Sequence, residues 1–487
     1  MNALALPVVL PLLAAFLVRP AGLVSGRLAS VFGPLVLLLC AGLLINFALM
    51  ANGQPFSANI GGFAPPLGIV FYADSIALLF AIAVPVFALL LWPREAMQAG
   101  GERISALMLL LVGSGTGMAL SGDLFNLYVF YELLAVASFG LVAASGTPRA
   151  WAATVRYLLI SGFGSVLALI GVALIYAQTG TLNLAQLSEF APELLAGPLG
   201  LAAFAFLLVG FGVKAELFPV NAWVPEVYAT APKRVSALLA GVVSKLAILV
   251  VLRLILLVFD TPEARQLLLV LGLIGLVSGE LAAWRARDLP RMLAFSSIGQ
   301  LGLLFMAMSI PGVAGLVAAL AVALHHLLMK PALFLLAERW HGGLENLAGA
   351  GRKAPLAAGL FTLFALSLLG VPPLPGFWAK LVLLLGLGEQ DALLAQAAIA
   401  GVLLMAVVEA HYLFRLVGLL YARTEHDGPP HRTGDLAVAS LLGVVLLASM
   451  PVLPVLADGL GWMATQASDI ASYRAVILGS APAGVAP

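Results

Sequence analysis

The sequence predicts an all-α polytopic membrane protein of about fourteen transmembrane helices, on two observations of composition and one of pattern. Of its 487 residues 62% are hydrophobic and 10% charged, against roughly 45–50% apolar and about 25% charged in a soluble domain. The mean hydropathy is +1.09. Apolar runs long enough to cross a bilayer recur from Met1 to about Leu460, and they are continuous rather than alternating, which excludes a β-barrel. No soluble domain of ordinary size fits between these runs, so a catalytic head would belong to another chain. The lone Cys40 excludes an internal disulfide, and no CxxC signature is present, so neither a cofactor nor a metal is expected. A formal net charge of +1 gives no reason to expect nucleic acid.

Taken between turn and charge signals, the runs lie near residues 3–18, 29–50, 70–92, 104–121, 124–145, 155–177, 198–230, 234–259, 266–284, 290–309, 312–338, 355–387, 393–421 and 436–460. The first has no basic stretch before it and is followed by Arg19 rather than a small-residue cleavage site, so it reads as a retained helix and not a signal peptide. Segments seven and twelve exceed one straight span. They contain Pro219 with Pro225, and Pro372, Pro373 and Pro375, and both are predicted to be broken, losing regular hydrogen bonding between Ala215 and Pro219 and between Gly370 and Pro375.

Positive charge gives the orientation, because it accumulates in cytoplasmic loops. Loops after odd-numbered segments hold sixteen cations, from Arg19 and Arg27 through Lys233 and Arg234 to Arg423 and Arg432, whereas the other side holds only Arg265 and Arg474. Both termini are therefore expected outside the cytoplasm, in a multi-pass protein of the inner (cytoplasmic) membrane.

The remaining cations, Lys214, Lys245, Arg253, Lys330, Lys380 and Arg415, fall within the spans. Arg253 and Arg415 sit near segment ends and are expected to snorkel. The lysines are more informative: the chain has only six, against eighteen arginines, and four of the six are intramembrane. Arg serves wherever a permanent charge suffices, whereas a desolvated Lys can lose its proton. At about 2.5–3.5 kcal/mol per charge at mid-bilayer, four lysines plus Glu132 facing lipid would cost roughly 15 kcal/mol, so they must face a polar interior. At a rise of about 1.5 Å per residue, Glu132 and Lys245 both lie roughly 14–15 Å into their segments, near the midplane. The competing reading, packing ion pairs that only fix helix register, accounts poorly for four titratable cations near one level. His325 and His326 diverge by about 100° and cannot chelate one metal from the same face. His326 and Lys330, at i and i+4, do share a face, and an imidazole is a natural relay between lysines. Glu216 and Glu409 are further intramembrane carboxylates, as readily structural as functional.

The stretches at residues 122–134 (GDLFNLYVFYELL), 213–232 (VKAELFPVNAWVPEVYATAP), 235–254, 292–305, 325–335 (HHLLMKPALFL) and 370–381 (GVPPLPGFWAKL) resemble the antiporter-like proton-translocating subunits. That family includes the large antiporter-like subunits of respiratory complex I, relatives in membrane-bound hydrogenases, and the A-type and D-type subunits of Mrp cation/proton antiporters. The likeness spans the whole chain in order. The lead into Glu132, the region from Tyr228 to Pro232, a lysine on helix twelve and the short length without a lateral C-terminal helix look most like the D-type subunit of the multisubunit Mrp-type Na+/H+ antiporter. Complex I relatives commonly carry histidines around the helix-seven break, where this chain has Asn221 and Tyr228. Glu216 departs from the smaller apolar residue the family leads one to expect.

The resemblance implies that Glu132 pairs with Lys214, that Lys245 passes the proton inward, that His325, His326 and Lys330 link two halves, and that Lys380 is the far exchange site. It further implies two inverted five-helix repeats, 104–259 and 260–421, between N-terminal helices in 1–103 and a last helix with its tail in 422–487. The broken segments at matching positions agree, since such breaks mark transport sites. The expected mechanism is electrostatic switching: Lys214 holds its proton while ionised Glu132 is close and releases it toward Lys245 when the pair separates. The implied function is that of a non-enzymatic subunit of a multisubunit Na+/H+ antiporter, partnered by other membrane subunits. The alternatives are a proton-pumping subunit of a redox complex whose flavin and iron-sulfur clusters lie on other chains, and a scaffold with a degenerate channel, against which the intact row argues.

The sixteen-to-two bias makes a direct prediction. A tag placed after Pro487 is labelled by membrane-impermeant reagent from outside intact cells, and cytoplasmic-only labelling refutes the orientation.

Overall fold

The computed structural model describes residues 2–98, 100–340, 342–423 and 436–479, most of them helical. Arg432 and the tail from residue 480 onward, both part of the sequence-level reading, lie outside the described residues. After a short turn at Asn2–Ala5, α1 (Leu6–Val24) and α2 (Gly26–Ala51) cross side by side. The third expected segment, 70–92, is shorter as a helix than its hydropathy suggested. Residues Phe56–Ile60 (β1) and Ile69–Ala73 (β2) form an antiparallel hairpin, with Phe56 opposite Ala73. Helix α3 (Ser75–Leu90) begins only where the Asp74 carboxylate accepts the Ala77 N–H, a side-chain cap that satisfies an otherwise unpaired first-turn donor. The run IVFYA, rich in β-branched and aromatic residues, suits a strand as well as a span.

The same capping logic starts the next helices. α4 (Glu102–Leu120) leads to α5 (Leu124–Ala143), capped by Asp123, and to α6 (Pro148–Thr179), capped by Thr147 with Pro148 at its first position. A short amphipathic helix absent from the sequence reading, α7 (Leu184–Leu194), is capped by Asn183. Segment seven divides into α8 (Pro198–Gly212) and α9 (Val224–Thr230). Segment eight runs from Lys233 to Leu257 as α10 (Lys233–Leu238), one π-helical turn (Leu239–Val243) and α11 (Ser244–Leu257). α12 (Pro262–Arg285), α13 (Leu289–Ser309) and α14 (Gly312–Ala337) follow. Beyond the short α15 (Ala350–Lys353), segment twelve divides into α16 (Pro355–Leu369) and α17 (Pro375–Gly388), before α18 (Leu393–Tyr421). The last expected segment, 436–460, is not one straight helix: α19 (Leu436–Ser449) meets α20 (Leu453–Ser468) at 89°, and α21 (Ile470–Leu478) ends the described chain. Pro451 disfavours a helical Met450 and so forces the bend. Among the described residues ten helices are individually long and apolar enough to span a membrane. The other four expected segments are α3, the two broken pairs and the bent pair.

The centre of the bundle is wholly enclosed. Every residue of α11 and nearly every residue of α13 is buried, whereas α2 and α18 present long apolar rows outward, such as Leu35, Leu38 and Leu39, or Leu403, Leu404 and Val407. Close approach of α12 and α13 depends on facing glycines. A Cβ on Gly302 would stand 2.5 Å from the Gly272 carbonyl oxygen and the Leu276 nitrogen, and one on Gly279 would stand 2.5 Å from the Gly299 nitrogen.

The hairpin organises one face. Ser57 Oγ donates to the Val476 carbonyl at 2.9 Å, Gln466 Nε2 donates to Gly53 at 2.6 Å, and Gln466 Oε1 accepts the Ser75 N–H at 2.9 Å. The turn at Asn2–Ala5 packs on β1, so both ends of the described chain lie on this face. Arg253 does not snorkel as expected. It is buried, pairs with Asp74 at 2.6 Å and lies 5.5 Å from the Tyr72 ring and 5.9 Å from that of Tyr473. Asp74 and two aromatic faces replace the solvent its guanidinium would otherwise reach for.

Gly302→Ala is expected to lower the thermal midpoint of the purified protein, because overpacking a tight contact costs about 1–3 kcal/mol. Gly359→Ala in α16, where nothing lies within 4 Å of the added carbon, should leave the midpoint unchanged or raise it. Equal effects of the two would show that the glycine contact does not set the helix spacing.

A buried row of lysines, histidines and glutamates

Between Gly212 and Val224 the regular helix is lost, as expected around Pro219. The segment is held by other bonds: Leu217 N donates to Gly212 O at 2.9 Å, Trp223 Nε1 to Val213 O at 3.0 Å, and Asn221 Nδ2 to Glu216 O at 3.2 Å. Glu216 adopts φ +57°, a left-handed conformation that is strained for a residue with a Cβ. Lys214 lies inside this break and is 1% exposed. Its Nζ donates to Ser161 Oγ at 3.1 Å and sits 3.6 Å from the centre of the Tyr131 ring, whose hydroxyl donates to Gly210 O. Glu132, next to Tyr131 on α5, is an electrostatic neighbour of Lys214. The two form no direct ion pair, and Glu132 Oε1 is buried without a hydrogen-bond partner.

Glu216 turns the other way. Its Oε1 accepts the Tyr228 hydroxyl at 2.6 Å, Oε2 has no hydrogen-bond partner, and its charged neighbours are Lys245 and Lys330. The π-helical turn just before Lys245 shifts the backbone bonding by one residue, and such turns recur at functional sites. Lys245 Nζ donates to Ala240 O at 2.6 Å and to Ser244 Oγ at 3.0 Å, and it contacts His326 Nδ1. Only glycine at 241 permits this approach of α14, since a Cβ there would stand 2.6 Å from Pro331 Cγ. Amine and imidazole nitrogens can each donate or accept, so the tautomer of His326 decides which of the two donates at this contact.

On α14 the two histidines diverge as the helical geometry requires. His326 Nε2 meets Ser297 Oγ on α13 at 3.2 Å, while His325 Nε2 meets Ser367 Oγ on α16 at 3.0 Å. Lys330, on the His326 face, donates to Ser296 Oγ at 2.8 Å and Leu293 O at 3.1 Å. At the second break α16 ends in Gly370 at φ +90° and α17 starts at Pro375. Lys380 Nζ donates to the freed Leu369 carbonyl at 3.1 Å and pairs with Glu409 Oε2 at 2.5 Å, and Glu409 Oε1 accepts Gln300 Nε2 at 2.9 Å. The structure thus brings Lys245 and His326 into contact, turns Lys330 of α14 toward α13, pairs Lys380 with Glu409, and leaves Lys214 and Glu132 as unpaired neighbours.

Sequence reasoning missed Glu280. It is 1% exposed on α12, its Oε2 accepts the Tyr412 hydroxyl at 2.8 Å and its charged neighbours are Glu409, Lys380 and Lys330. Five residues from Arg285 it reads as a helix-end charge, and the only signal was its position inside an apolar run. Among the described residues no three His, Cys, Asp or Glu side chains gather as a metal site.

Residues 121–406 match the family described as NADH:quinone oxidoreductase/Mrp antiporter, TM. The chain is 33% identical over 446 residues to the N-type subunit of the NADH-quinone oxidoreductase of Desulforudis audaxviator (87% of each chain). It is 31% identical over 395 residues to the D-type subunit of the Na(+)/H(+) antiporter of Bacillus subtilis (78% of this chain, 79% of the relative). Among solved structures it resembles a chain of the membrane-bound sulfane sulfur reductase, an archaeal respiratory membrane complex, with TM-score 0.90 and 30% identity over 98% of this chain and 100% of that one. A chain of the Mrp complex from Dietzia gives TM-score 0.87 and 27% identity over 98% and 99%.

The Lys380–Glu409 pair makes a stability prediction. Lys380→Met strands a buried carboxylate, a loss of about 3–5 kcal/mol, and should lower the thermal midpoint markedly. Adding Glu409→Gln should restore most of it, because a neutral amide needs no counter-ion; no recovery in the double variant would show that the pair does not act as an ion pair.

Proposed function

We propose, from the premise that this chain belongs to the NADH:quinone oxidoreductase/Mrp antiporter family of membrane subunits, that it conducts protons within a multisubunit Na+/H+ antiporter of the cytoplasmic membrane. It is a multi-pass, antiporter-type subunit, and other membrane subunits are its partners. The observation that supports the finer reading is that Lys214, Lys245, His326 and Lys330 are buried, with Lys245 in contact with His326, and that Lys380 pairs with the buried Glu409. A fold needing only rigidity would do better with apolar residues there, since buried ion pairs are often matched or exceeded by packed hydrophobic ones. A proton path needs groups that exchange protons.

In this reading the arrangement at Lys214 is the separated arm of the switch. Glu132 is near enough to act on the ammonium through a low dielectric but is not bonded to it. Movement of Glu132 toward Lys214 holds the proton there, and withdrawal releases it toward Lys245. The proton then passes from Lys245 to His326 and along α14, whose Lys330 faces Ser296, to Lys380 at the second break. The groups titrate jointly rather than one by one. His325, bonded to Ser367, positions α14 against α16. We assign residues 104–259 and 260–421 to the two inverted repeats and both termini to the extracytoplasmic side.

The second reading, a proton-pumping subunit of a redox complex, is favoured by the 33% identity to a chain of an NADH-quinone oxidoreductase and by the 0.90 TM-score to a respiratory complex chain. Asn221 and Tyr228 at the helix-seven break favour the antiporter branch. Copurifying chains decide between them, because redox partners bring flavin and iron-sulfur clusters.

Glu132→Gln keeps volume and a hydrogen-bonding tip but removes the charge. Assembly should survive while cation-dependent dissipation of a pH gradient in vesicles, normalised to assembled complex, falls by on the order of a hundredfold; Glu132→Asp should be intermediate. Near-normal transport in Glu132→Gln would falsify the switch.

A further inference from the structure

We infer that Glu280, with Tyr412, is a proton-exchange site connecting the far end of the row to a surface cleft on the arginine-rich face. The inference rests on the proton-conducting reading above. Three independent observations support it. Glu280 is buried, yet its Oε1 has no hydrogen-bond partner, a costly arrangement for a carboxylate away from water. That oxygen rests against the glycine at 299, where a Cβ would stand 2.3 Å from it.

Glu280 is also joined to the row from two sides. Tyr412 donates to its Oε2 at 2.8 Å, and the same hydroxyl lies beside Ser296, which takes Lys330 at 2.8 Å. Glu409, paired with Lys380, is its carboxylate neighbour. Glu280, Glu409, Lys330 and Lys380 thus form one cluster of two acids and two lysines.

The third observation is the cleft, about 470 Å³, lined by Trp284, Arg285, Arg287, Leu344, Glu345 and Arg415. Trp284 is one turn beyond Glu280 on α12, and Arg415 is three residues beyond Tyr412 on α18. One turn is about 5.4 Å, so the two side chains of the site stand just behind the cleft wall. His411 packs its ring edge-on to Trp284 there. The step is a plain proton transfer: the Lys330 ammonium, through Ser296 and the Tyr412 hydroxyl, gives a proton to the Glu280 carboxylate, leaving a neutral amine and a neutral acid, and the acid then releases the proton to water in the cleft.

The test uses the purified complex in vesicles, with proton flux driven by an imposed membrane potential and normalised to assembled complex. Glu280→Gln should reduce flux by about tenfold or more and Tyr412→Phe by less, with Glu280→Asp recovering part of it. Dicyclohexylcarbodiimide, which attacks protonated carboxyls in apolar surroundings, should label Glu280 in the wild-type complex by peptide mass spectrometry, and this arm holds even where Glu280→Gln fails to assemble. Wild-type flux together with variants within about twofold of it, or an unlabelled Glu280, overturns this assignment alone. A wild-type complex that moves no protons overturns the proton-conducting reading and this inference with it.

Discussion

An ammonium or carboxylate inside hydrocarbon costs about 2.5–3.5 kcal/mol even on lenient scales, and the architecture of this protein follows from meeting that cost many times over. The helices bearing charge are enclosed by others, so that α11 has no residue facing lipid. The peripheral α18 turns Glu409 inward, while its outer face carries Leu403, Leu404 and Val407. The same rule governs Arg253, deep against Asp74 rather than stretched toward water. Its partner also caps α3, so one carboxylate fixes a helix start and neutralises a cation from another helix.

Irregular backbone is the second part of the solution. A regular helix keeps its carbonyls for itself, whereas a broken or widened one offers them to a guest charge. Lys380 takes the Leu369 carbonyl at the end of α16, and Lys245 takes the Ala240 carbonyl in the π-helical turn. Lys214 lies within the longer break, two residues from Glu216, and the two side chains serve different sides of it. Displacement of one therefore moves the backbone that carries the other.

Within the break this chain has its own solution. Asn221 holds the Glu216 backbone and Tyr228 holds its carboxylate, so these three residues form a single cluster in space.

The sequence by itself determined that the chain lives in a membrane, roughly where it crosses, where two crossings break and that Lys214, Lys245 and Lys330 are buried, because hydropathy, proline chemistry and residue choice are local properties. It did not separate the strand at Ile69–Ala73 from the span that follows, nor the bend at Pro451 from a straight helix, since both stretches are apolar either way. Only the tertiary structure decided the partners. Lys245 and His326 are 81 residues apart and Glu280 and Tyr412 are 132 apart, and no periodicity within one helix encodes which face of another it meets. Glu280 stayed invisible for that reason: a glutamate near a helix end has the same local signature whether it reaches water or, as here, fits against a glycine on the neighbouring helix.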